Sequence, residues 1–185
     1  MKPILETQRL LLRELVPDDA ESLAGLLSDP ETMRFYPAPY DRQGVEDWID
    51  RNRRRYAEYG VSLWALVLKA SGELIGDCGI IPQQVEGELL YEIGYHLRRD
   101  FWHQGLATEA AIACRNWAFA HLAVDRMISL IRPENMPSRR VAERNGMTIW
   151  KEIEWRGLRH IVYSITREDA ERITASRPPD SPASR

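Results

Sequence analysis

The chain has 185 residues and a formal net charge of -3, and 44% of its residues are hydrophobic and 29% charged. This composition is typical of a globular protein, and a chain of this length can bury a core without disulfides or metals. The net negative charge argues against bulk nucleic-acid binding. No apolar run has the length of a membrane span, and the first residues lack the apolar core of a signal peptide. We therefore expect a cytoplasmic protein without nucleic-acid or membrane partners.

Cysteine and histidine usage points away from a disulfide or a metal site. Cys78 and Cys114 both lie in apolar surroundings, which favours buried free thiols. The four histidines are scattered along the chain, and none forms a metal-ligand spacing with a cysteine or carboxylate. The sequence predicts no metal centre.

The first half of the chain predicts one strand, two helices and then three strands. Residues 8–16 alternate in polarity, and residues 20–27 carry apolar side chains at helical spacing. A second helix is predicted over residues 42–59, ending at Gly60. Three strand-like runs with short turns between them then indicate an antiparallel meander. These runs are residues 62–69, 73–81 and 88–97.

The second half begins with the strongest helical pattern of the chain, over residues 104–122. A strand, a short helix and a hairpin-like pair of strands follow it. They cover residues 126–131, 138–145, 147–154 and 158–165. This element order implies one mixed sheet with helices on its faces, a fold of the α+β (mixed α/β) class. We expect one domain over residues 1–175 and a disordered tail over residues 176–185, which are rich in proline and polar residues.

The turn into the long helix is the strongest candidate for a binding site. A helix N-terminus offers unpaired N–H groups and the positive end of the helix dipole. Gly105 and Ala107 allow an anion to approach the backbone closely, and Thr108 adds a hydroxyl. Such a turn suits a pyrophosphate, although Gly105 by itself is also explained as a simple start to a helix. Neither a Walker loop nor the three-glycine dinucleotide pattern is present.

Three segments together resemble one family, the GNAT acyltransferases, and within it the branch of the ribosomal-protein-alanine N-acetyltransferases. The segments run from Phe101 to Ala110 (FWHQGLATEA), from Asn135 to Met147 (NMPSRRVAERNGM) and from Thr7 to Arg13 (TQRLLLR). They occur in the family's order, and the resemblance covers about residues 5 to 166. It implies a central, mostly antiparallel sheet of six to seven strands flanked by helices, with strands four and five splayed apart.

The resemblance also implies acetyl-CoA as the co-substrate. In this family the pantetheine arm pairs with the strand before the loop, which here implicates the backbone of His96, Leu97 and Arg98. Asn135 is expected to contact the cofactor as well. The pyrophosphate is expected to meet the N–H groups of the loop and of the first helical turn. These belong to His103, Gln104, Gly105, Leu106, Ala107 and Thr108.

Two residues are implied as catalytic. Glu92 occupies a position where several relatives carry a general-base glutamate, which acts through a water; its alternative is a polar edge residue or an arginine partner. Many relatives protonate the leaving thiolate with a tyrosine, but the matching residue here is Ala142. The named branch suggests Ser138 instead, and its alternative is to cap the short helix.

The acceptor is an amine, and the sequence leaves its class open. One hypothesis is a protein N-terminus, and a second is a small molecule such as a polyamine, an amino acid or an antibiotic. A third is a CoA-binding sensor module without catalysis. An acidic groove would favour cationic acceptors, whereas Tyr36, Tyr40 and Trp64 are candidates either for the pocket wall or for packing. The protein is expected to be a monomer or a homodimer.

Overall fold

The computed structural model describes residues 2–176, and a single eight-stranded sheet organises them. The strands follow the order β1-β2-β3-β4-β5-β6-β8-β7, and every neighbouring pair is antiparallel except β5 and β6. Their bounds are β1 Leu5–Glu6, β2 Leu10–Arg13, β3 Leu63–Leu68, β4 Leu74–Val85, β5 Glu88–Leu97, β6 Arg126–Ile131, β7 Thr148–Trp155 and β8 Leu158–Thr166.

Five α-helices flank the sheet. They are α1 Ala20–Leu27, α2 Arg42–Tyr59, α3 Leu106–His121, α4 Met136–Arg144 and α5 Arg167–Ser176. Short polar caps set the ends of α2: the Asp41 carboxylate accepts from the Gly44 amide at 2.8 Å, and Gly60 ends the helix in the left-handed conformation (φ 74°). The predicted end at Gly60 is confirmed. Within residues 2–176, no helix is both long and apolar enough to cross a bilayer.

The core is divided between the two faces of the sheet. Because side chains alternate along a strand, Trp64 of β3 packs into the cluster that includes Cys114 of α3, while Leu63 packs into a second cluster with Ile49 of α2. Helices therefore cover both faces of the sheet.

Strands β5 and β6 separate soon after they meet. Their parallel ladder contains two pairs, Tyr91 with Met127 and Glu92 with Ile128, and it does not continue toward Leu97. A gap therefore opens between the carboxyl ends of two adjacent strands, which in open α/β sheets is a preferred position for ligands. The predicted splay between the fourth and fifth of the seven predicted strands is found here; in the final numbering these are β5 and β6.

The predicted fold class is confirmed, with two corrections in detail. The sheet has eight strands instead of six to seven, because the pair Leu5–Glu6 adds to β2 and is too short to leave an alternating pattern. A C-terminal helix, α5, was not predicted, because Ala170 is its only buried residue and its apolar stripe is weak. The predicted tail, residues 176–185, lies outside the described residues except for Ser176, which is the last residue of α5.

Candidate functional site

Two cavities meet inside the gap between β5 and β6. The helix-side cavity, of about 510 Å³, is lined by the loop before α3, by the first turn of α3 and by α4. The hairpin-side cavity, of about 350 Å³, is lined by α2, β6 and the β7–β8 hairpin. Six residues line both cavities and form what we call the junction. They are Phe35, Tyr36, Tyr95, His96, Asn135 and Ser138.

The start of α3 presents unpaired amides to the helix-side cavity. Its first intrahelical hydrogen bond runs from the Glu109 amide to the Gly105 carbonyl (3.0 Å), so the amides of residues 106–108 precede the regular helical bonds. His103 (φ 60°) and Gly105 (φ 78°) both adopt the left-handed conformation, which for His103 is uncommon. Consecutive turns of this kind form concave arrays of N–H groups that bind anions.

Arg9 fixes this loop from the opposite side. Its Nε donates to Glu109 Oε2 at 2.7 Å, and its Nη1 donates to the Gln104 carbonyl at 2.9 Å. Thr7 Oγ1 donates to the same Glu109 carboxylate at 2.5 Å. The opening segment of the chain, one of the three that suggested the family, therefore holds the binding loop in position. Gln104 does not line the helix-side cavity, unlike the five other residues predicted for this loop.

The backbone of Arg98 is not available for a ligand. Its amide donates to the Ile75 carbonyl (2.9 Å), and its carbonyl accepts from the Phe101 amide (3.0 Å). Both backbone groups of Arg98 are thus already paired within the protein, which counts against the predicted contact of Arg98 with the cofactor. The Leu97 carbonyl accepts from Trp102 Nε1 at 2.6 Å, so this tryptophan fixes the end of β5.

Strand alternation identifies which backbone groups face the gap. The Ile93 carbonyl accepts from Ser129 Oγ of β6 at 2.8 Å, so the backbone of Ile93 faces β6. Backbone groups two residues apart point the same way, so those of Tyr95 and Leu97 face the gap as well. The backbone of His96, like that of Arg98, faces β4. The backbone contact expected for Leu97 therefore stays a prediction, and Tyr95, in place of His96, has backbone groups that face the gap.

The side chain of His96 has a prominent place that sequence reasoning missed. Its Nδ1 lies 2.6 Å from Asp77 Oδ1, and its Nε2 lies 2.5 Å from the Tyr36 hydroxyl. Asp77 is fully buried, and its other oxygen accepts from Trp48 Nε1 at 2.9 Å. Since a carboxylate only accepts, Nδ1 carries a proton, and in the neutral ring Nε2 is left to accept from Tyr36.

The charges and hydrogen bonds around His96 favour its protonated form. Burial disfavours the charged imidazolium, but attraction to Asp77 and the hydrogen bond between them outweigh burial, so the pKa of His96 is raised. Although Tyr36 is 39% exposed, desolvation at the junction and the nearby carboxylates of Glu92 and Asp77 raise the pKa of its hydroxyl, which keeps it protonated. A signal for Asp77 existed in the sequence. A hairpin with the two-residue turn Glu86-Gly87 pairs Asp77 with His96 by register alone.

Glu92 lies where the ladder between β5 and β6 ends. Its Oε1 accepts from the Leu130 amide of β6 at 3.2 Å, and its Oε2 accepts from Gln83 Nε2 at 2.7 Å. Burial raises the pKa of Glu92, and the two hydrogen bonds oppose that rise. The carboxylate lines the hairpin-side cavity while both of its oxygens hold neighbouring strands.

Asn135 and Ser138 lie together at the start of α4. Asn135 Oδ1 accepts from the Ser138 amide at 3.1 Å, so the asparagine caps this helix. The Ser138 carbonyl accepts from the Tyr95 hydroxyl at 2.7 Å, which ties α4 to β5 across the gap. The Ser138 hydroxyl makes no hydrogen bond within residues 2–176, and it lines the junction. Ala142 is buried, as a core residue would be.

The remaining candidates divide between pocket and core. Tyr40 lines the hairpin-side cavity, whereas Trp64 is 1% exposed and packs in the core. Cys78 and Cys114 are buried free thiols with their sulfurs 3.6 Å apart, as predicted. Within residues 2–176, no cluster of three or more histidine, cysteine or carboxylate side chains is arranged to hold a metal ion.

Comparisons with known proteins agree with this architecture. Residues 9–148 match the model of the acetyltransferase (GNAT) domain. The uncharacterized protein YkkB of Bacillus subtilis is 42% identical over 153 residues, covering 82% of this chain and 89% of YkkB.

Solved structures show the same fold. An acetyltransferase from Agrobacterium tumefaciens superposes with a TM-score of 0.78 at 28% identity, covering 90% of this chain and 96% of that one. The aminoglycoside acetyltransferase AAC(6')-Ib in complex with coenzyme A superposes with a TM-score of 0.76 at 18% identity, covering 89% and 99%. Because the family match covers residues 9–148, well over half of the chain, the chain belongs to the GNAT acetyltransferases.

Proposed function

We propose that this acetyltransferase passes an acetyl group from acetyl-CoA directly to a primary amine, with both substrates bound at once. The observation that carries the proposal is that two cavities of different chemistry meet at one junction between the parted strands. Holding the two reactants at a shared junction replaces a chance encounter with a positioned attack. The coenzyme A in the structure of AAC(6')-Ib, a protein of the same fold, supports the choice of donor.

The helix-side cavity suits the nucleotide end of coenzyme A. The amides of residues 103 and 105–108 offer donors for the pyrophosphate. The space beside Gly105 is open, since a β-carbon built on it would contact only Arg9 Nη2, at 3.7 Å. Arg140 and Arg144 line this cavity and supply positive charge for a further phosphate. Arg139 instead donates to the Tyr163 hydroxyl at 3.1 Å, which suggests a structural role for it.

The pantetheine and the thioester then extend along the gap. Backbone groups of Tyr95 and Leu97 that face β6 are available to pair with the pantetheine and to stabilise the oxyanion as the amine attacks. The Ser138 hydroxyl, which has no partner of its own in residues 2–176, is positioned to hydrogen-bond to the sulfur. Asn135 keeps its amide NH₂ free for the cofactor while its oxygen caps α4.

His96 and Tyr36 supply the route for the protons. In its neutral form His96 takes one proton from the acceptor ammonium through the Tyr36 hydroxyl, and Asp77 stabilises the resulting imidazolium. The free amine attacks the carbonyl carbon, the C–N bond forms and the C–S bond breaks with its electron pair on sulfur. Tyr36 then passes the stored proton to the thiolate, and the second amine proton leaves to water. This route gives a proton donor to a family member that has Ala142 in place of the usual tyrosine.

Glu92 has two proposed roles. The role implied by the family is a general base that works through a water. The other is to position β6, because its oxygens bind the Leu130 amide and Gln83. With His96 as the group that holds the proton, we propose the positioning role for Glu92. A CoA-binding sensor without catalysis is disfavoured by the His96–Tyr36 pair at the junction, which binding alone does not require.

A matched pair of glycine variants tests where the donor binds. Gly105→Val forces a β-branched residue into a left-handed backbone (φ 78°) in the proposed pyrophosphate loop, and Gly72→Val imposes the same strain (φ 70°) in the β3–β4 turn, remote from both cavities. Isothermal titration with coenzyme A is expected to show binding weakened by about 10-fold in Gly105→Val alone. Mass spectrometry of amines incubated with acetyl-CoA is expected to detect added acetyl groups. Equal affinities in both variants would contradict the proposed donor site.

A further inference from the structure

The hairpin-side cavity carries strong positive charge. Four arginines line it, and its one acidic residue is Glu92, whose oxygens are already occupied. The arginines come from three separate elements: α2, β6 and its continuation, and the β7–β8 turn. They are Arg51, Arg55, Arg132 and Arg156. An acceptor enters this cavity, so its charge must suit these side chains.

Arg132 is poorly satisfied by the protein itself. Its Nε is buried and, in the part of the chain that the structure describes, has no hydrogen-bond partner. The nearest carboxylate oxygen, on the exposed Glu134, lies 3.7 Å away. A buried guanidinium nitrogen without a partner costs free energy, and such a group is normally satisfied by a ligand or by water. Arg132 therefore has unused capacity to bind an anion at the inner end of the cavity.

Three more arginines are brought together, with Glu92 of the same cavity lining partly offsetting their charge. Within residues 2–176, no carboxylate lies within ion-pair distance of Arg51, Arg55 or Arg156. The guanidinium groups of Arg51 and Arg156 instead stack over tryptophan rings, at 5.2 Å from Trp48 and 4.1 Å from Trp155. Stacking orients a guanidinium and leaves its N–H groups free for an anion.

Arg55 experiences the electrostatic repulsion among these arginines. It is half-buried on α2, and burial together with repulsion from Arg51 and Arg156 lowers its pKa. Like charges that approach one another in a partly buried site are unfavourable until an anion joins them. The site is therefore arranged to gain from a negatively charged ligand.

We propose that the acceptor is an anionic primary amine, one that carries a carboxylate or a phosphate near the amine that is acetylated. This inference rests on the proposed function and names its acceptor class. The anion binds the arginines of the hairpin-side cavity while the amine reaches Tyr36 and His96 at the junction. Polyamines and aminoglycosides, which are polycations, are repelled by the same field. The sequence had left this choice open.

A panel of acceptors matched in shape and different in charge tests the proposal. Each pair joins an amine that carries an anionic group to an analogue that lacks that group: alanine with alaninamide, phosphoethanolamine with ethanolamine, and peptides beginning with aspartate or with asparagine. Spermidine and kanamycin represent the cations. The anionic member of at least one pair is expected to have the higher kcat/KM by about 10-fold or more, falling as salt is added. The pair with the largest ratio of kcat/KM values shows whether the anionic group belongs to a free amino acid, a phosphorylated amine or a peptide N-terminus.

Arginine variants connect that preference to the cavity. Arg55→Gln and Arg132→Gln are each expected to lower kcat/KM for the best anionic acceptor by about 10- to 100-fold, with little change for its paired analogue. Arg54→Gln is the control, because Arg54 is exposed on the same helix and lines neither cavity. Affinity for coenzyme A and the melting temperature, measured on every variant, separate loss of the acceptor site from loss of the fold.

The possible failures are distinguishable. Faster transfer to spermidine or kanamycin than to any anionic amine would overturn the anionic acceptor and leave acetyl transfer intact, as would equal losses in Arg54→Gln and Arg55→Gln. Binding of coenzyme A without transfer to any amine in the panel would overturn the proposed function, and the acceptor class with it.

Discussion

The two cavities are built in different ways. The helix-side cavity offers backbone amides from one segment, residues 103 and 105–108, beside the exposed Arg140 and Arg144 and side chains of the loop before α2. The hairpin-side cavity is walled by side chains from α2, β4, β5, β6 and the β7–β8 hairpin, elements that lie far apart in the chain. A site made of backbone amides tolerates changes in side chains. A site made of converging side chains can be altered by a single substitution.

This difference separates what the family shares from what distinguishes its members. Amides at a helix N-terminus bind a pyrophosphate whatever side chains surround them, so the same loop serves relatives with different acceptors. Charge in the hairpin-side cavity depends on a few arginines and on one acid. The first two substitutions that follow act at the junction between the cavities, where both substrates depend on the same side chains.

The largest expected effect comes from His96→Asn. Asparagine can still donate to Asp77 from the position of Nδ1, but it has no group to match Nε2. Loss of a positioned general base is expected to lower kcat by about 10²- to 10⁴-fold, while affinity for coenzyme A changes little. Steady-state kinetics and calorimetry on the same preparation measure the two quantities.

His121→Asn provides the comparison for that substitution. His121 is exposed, stacks on Trp117 at 4.5 Å and lies far from the junction, so full activity is expected. Tyr36→Phe removes only the hydroxyl that meets Nε2 and is expected to reproduce a large part of the His96→Asn loss. A His96→Asn enzyme with wild-type kcat would show that no proton passes through this chain.

Local sequence was sufficient to predict the turn at Gly105, whereas the pairing of His96 with Asp77 depends on a longer-range pattern. Gly105 and the polarity of the following helix indicated an anion site, and the structure has its amides at that position. Asp77 went unnoticed because a single buried carboxylate in an apolar strand leaves no motif. Its partner His96 lies across a β-ladder, so only the hairpin register connects them.

The direction of the Arg98 backbone was hard to predict for the same reason. Alternate residues of β5 direct their amides toward β4 or toward the gap. A shift of one residue along the strand therefore exchanges an amide that is free for one that is hydrogen-bonded to β4. The arginines of the hairpin-side cavity leave no common pattern in the sequence, because Arg132 and Arg156 join Arg55 only after the sheet folds. Where contacts cross between distant elements, composition and spacing contain little information about them.

The next effect in size is expected from Asp77→Asn, which tests the electrostatics of the junction. Asp77 raises the pKa of His96, so its loss is expected to lower that pKa. The base works in its neutral form, so activity rises with pH through the pKa, and this acidic limb of the kcat/KM profile is expected to move to lower pH in the variant. The plateau is expected to fall by about 10- to 100-fold, because asparagine does not stabilise the imidazolium.

The same substitution has a stability consequence with a defined sign. A pKa that is raised in the folded state stabilises the protein below the unfolded pKa, and this contribution is lost as pH rises through the folded value. The difference in unfolding free energy between the wild type and Asp77→Asn is therefore expected to shrink as pH increases. Asp125→Asn, at an exposed aspartate, is expected to change neither the pH profile nor this difference. An unmoved acidic limb would refute the role given to Asp77.

The smallest effect is expected at Glu92, where substitution decides between its two roles. Glu92→Gln keeps an oxygen for the Leu130 amide and removes only the charge, so a positioning residue loses less than about 10-fold in kcat. Glu92→Ala leaves that buried amide without a partner, which costs about 1–3 kcal/mol and is expected to lower the melting temperature as well. If Glu92 holds the strands, Glu92→Ala therefore has the lower kcat and the lower melting temperature of the two variants. A general base gives a different pattern, in which Glu92→Gln already loses about 10²-fold in kcat with the melting temperature preserved, because glutamine maintains the contact and cannot accept a proton.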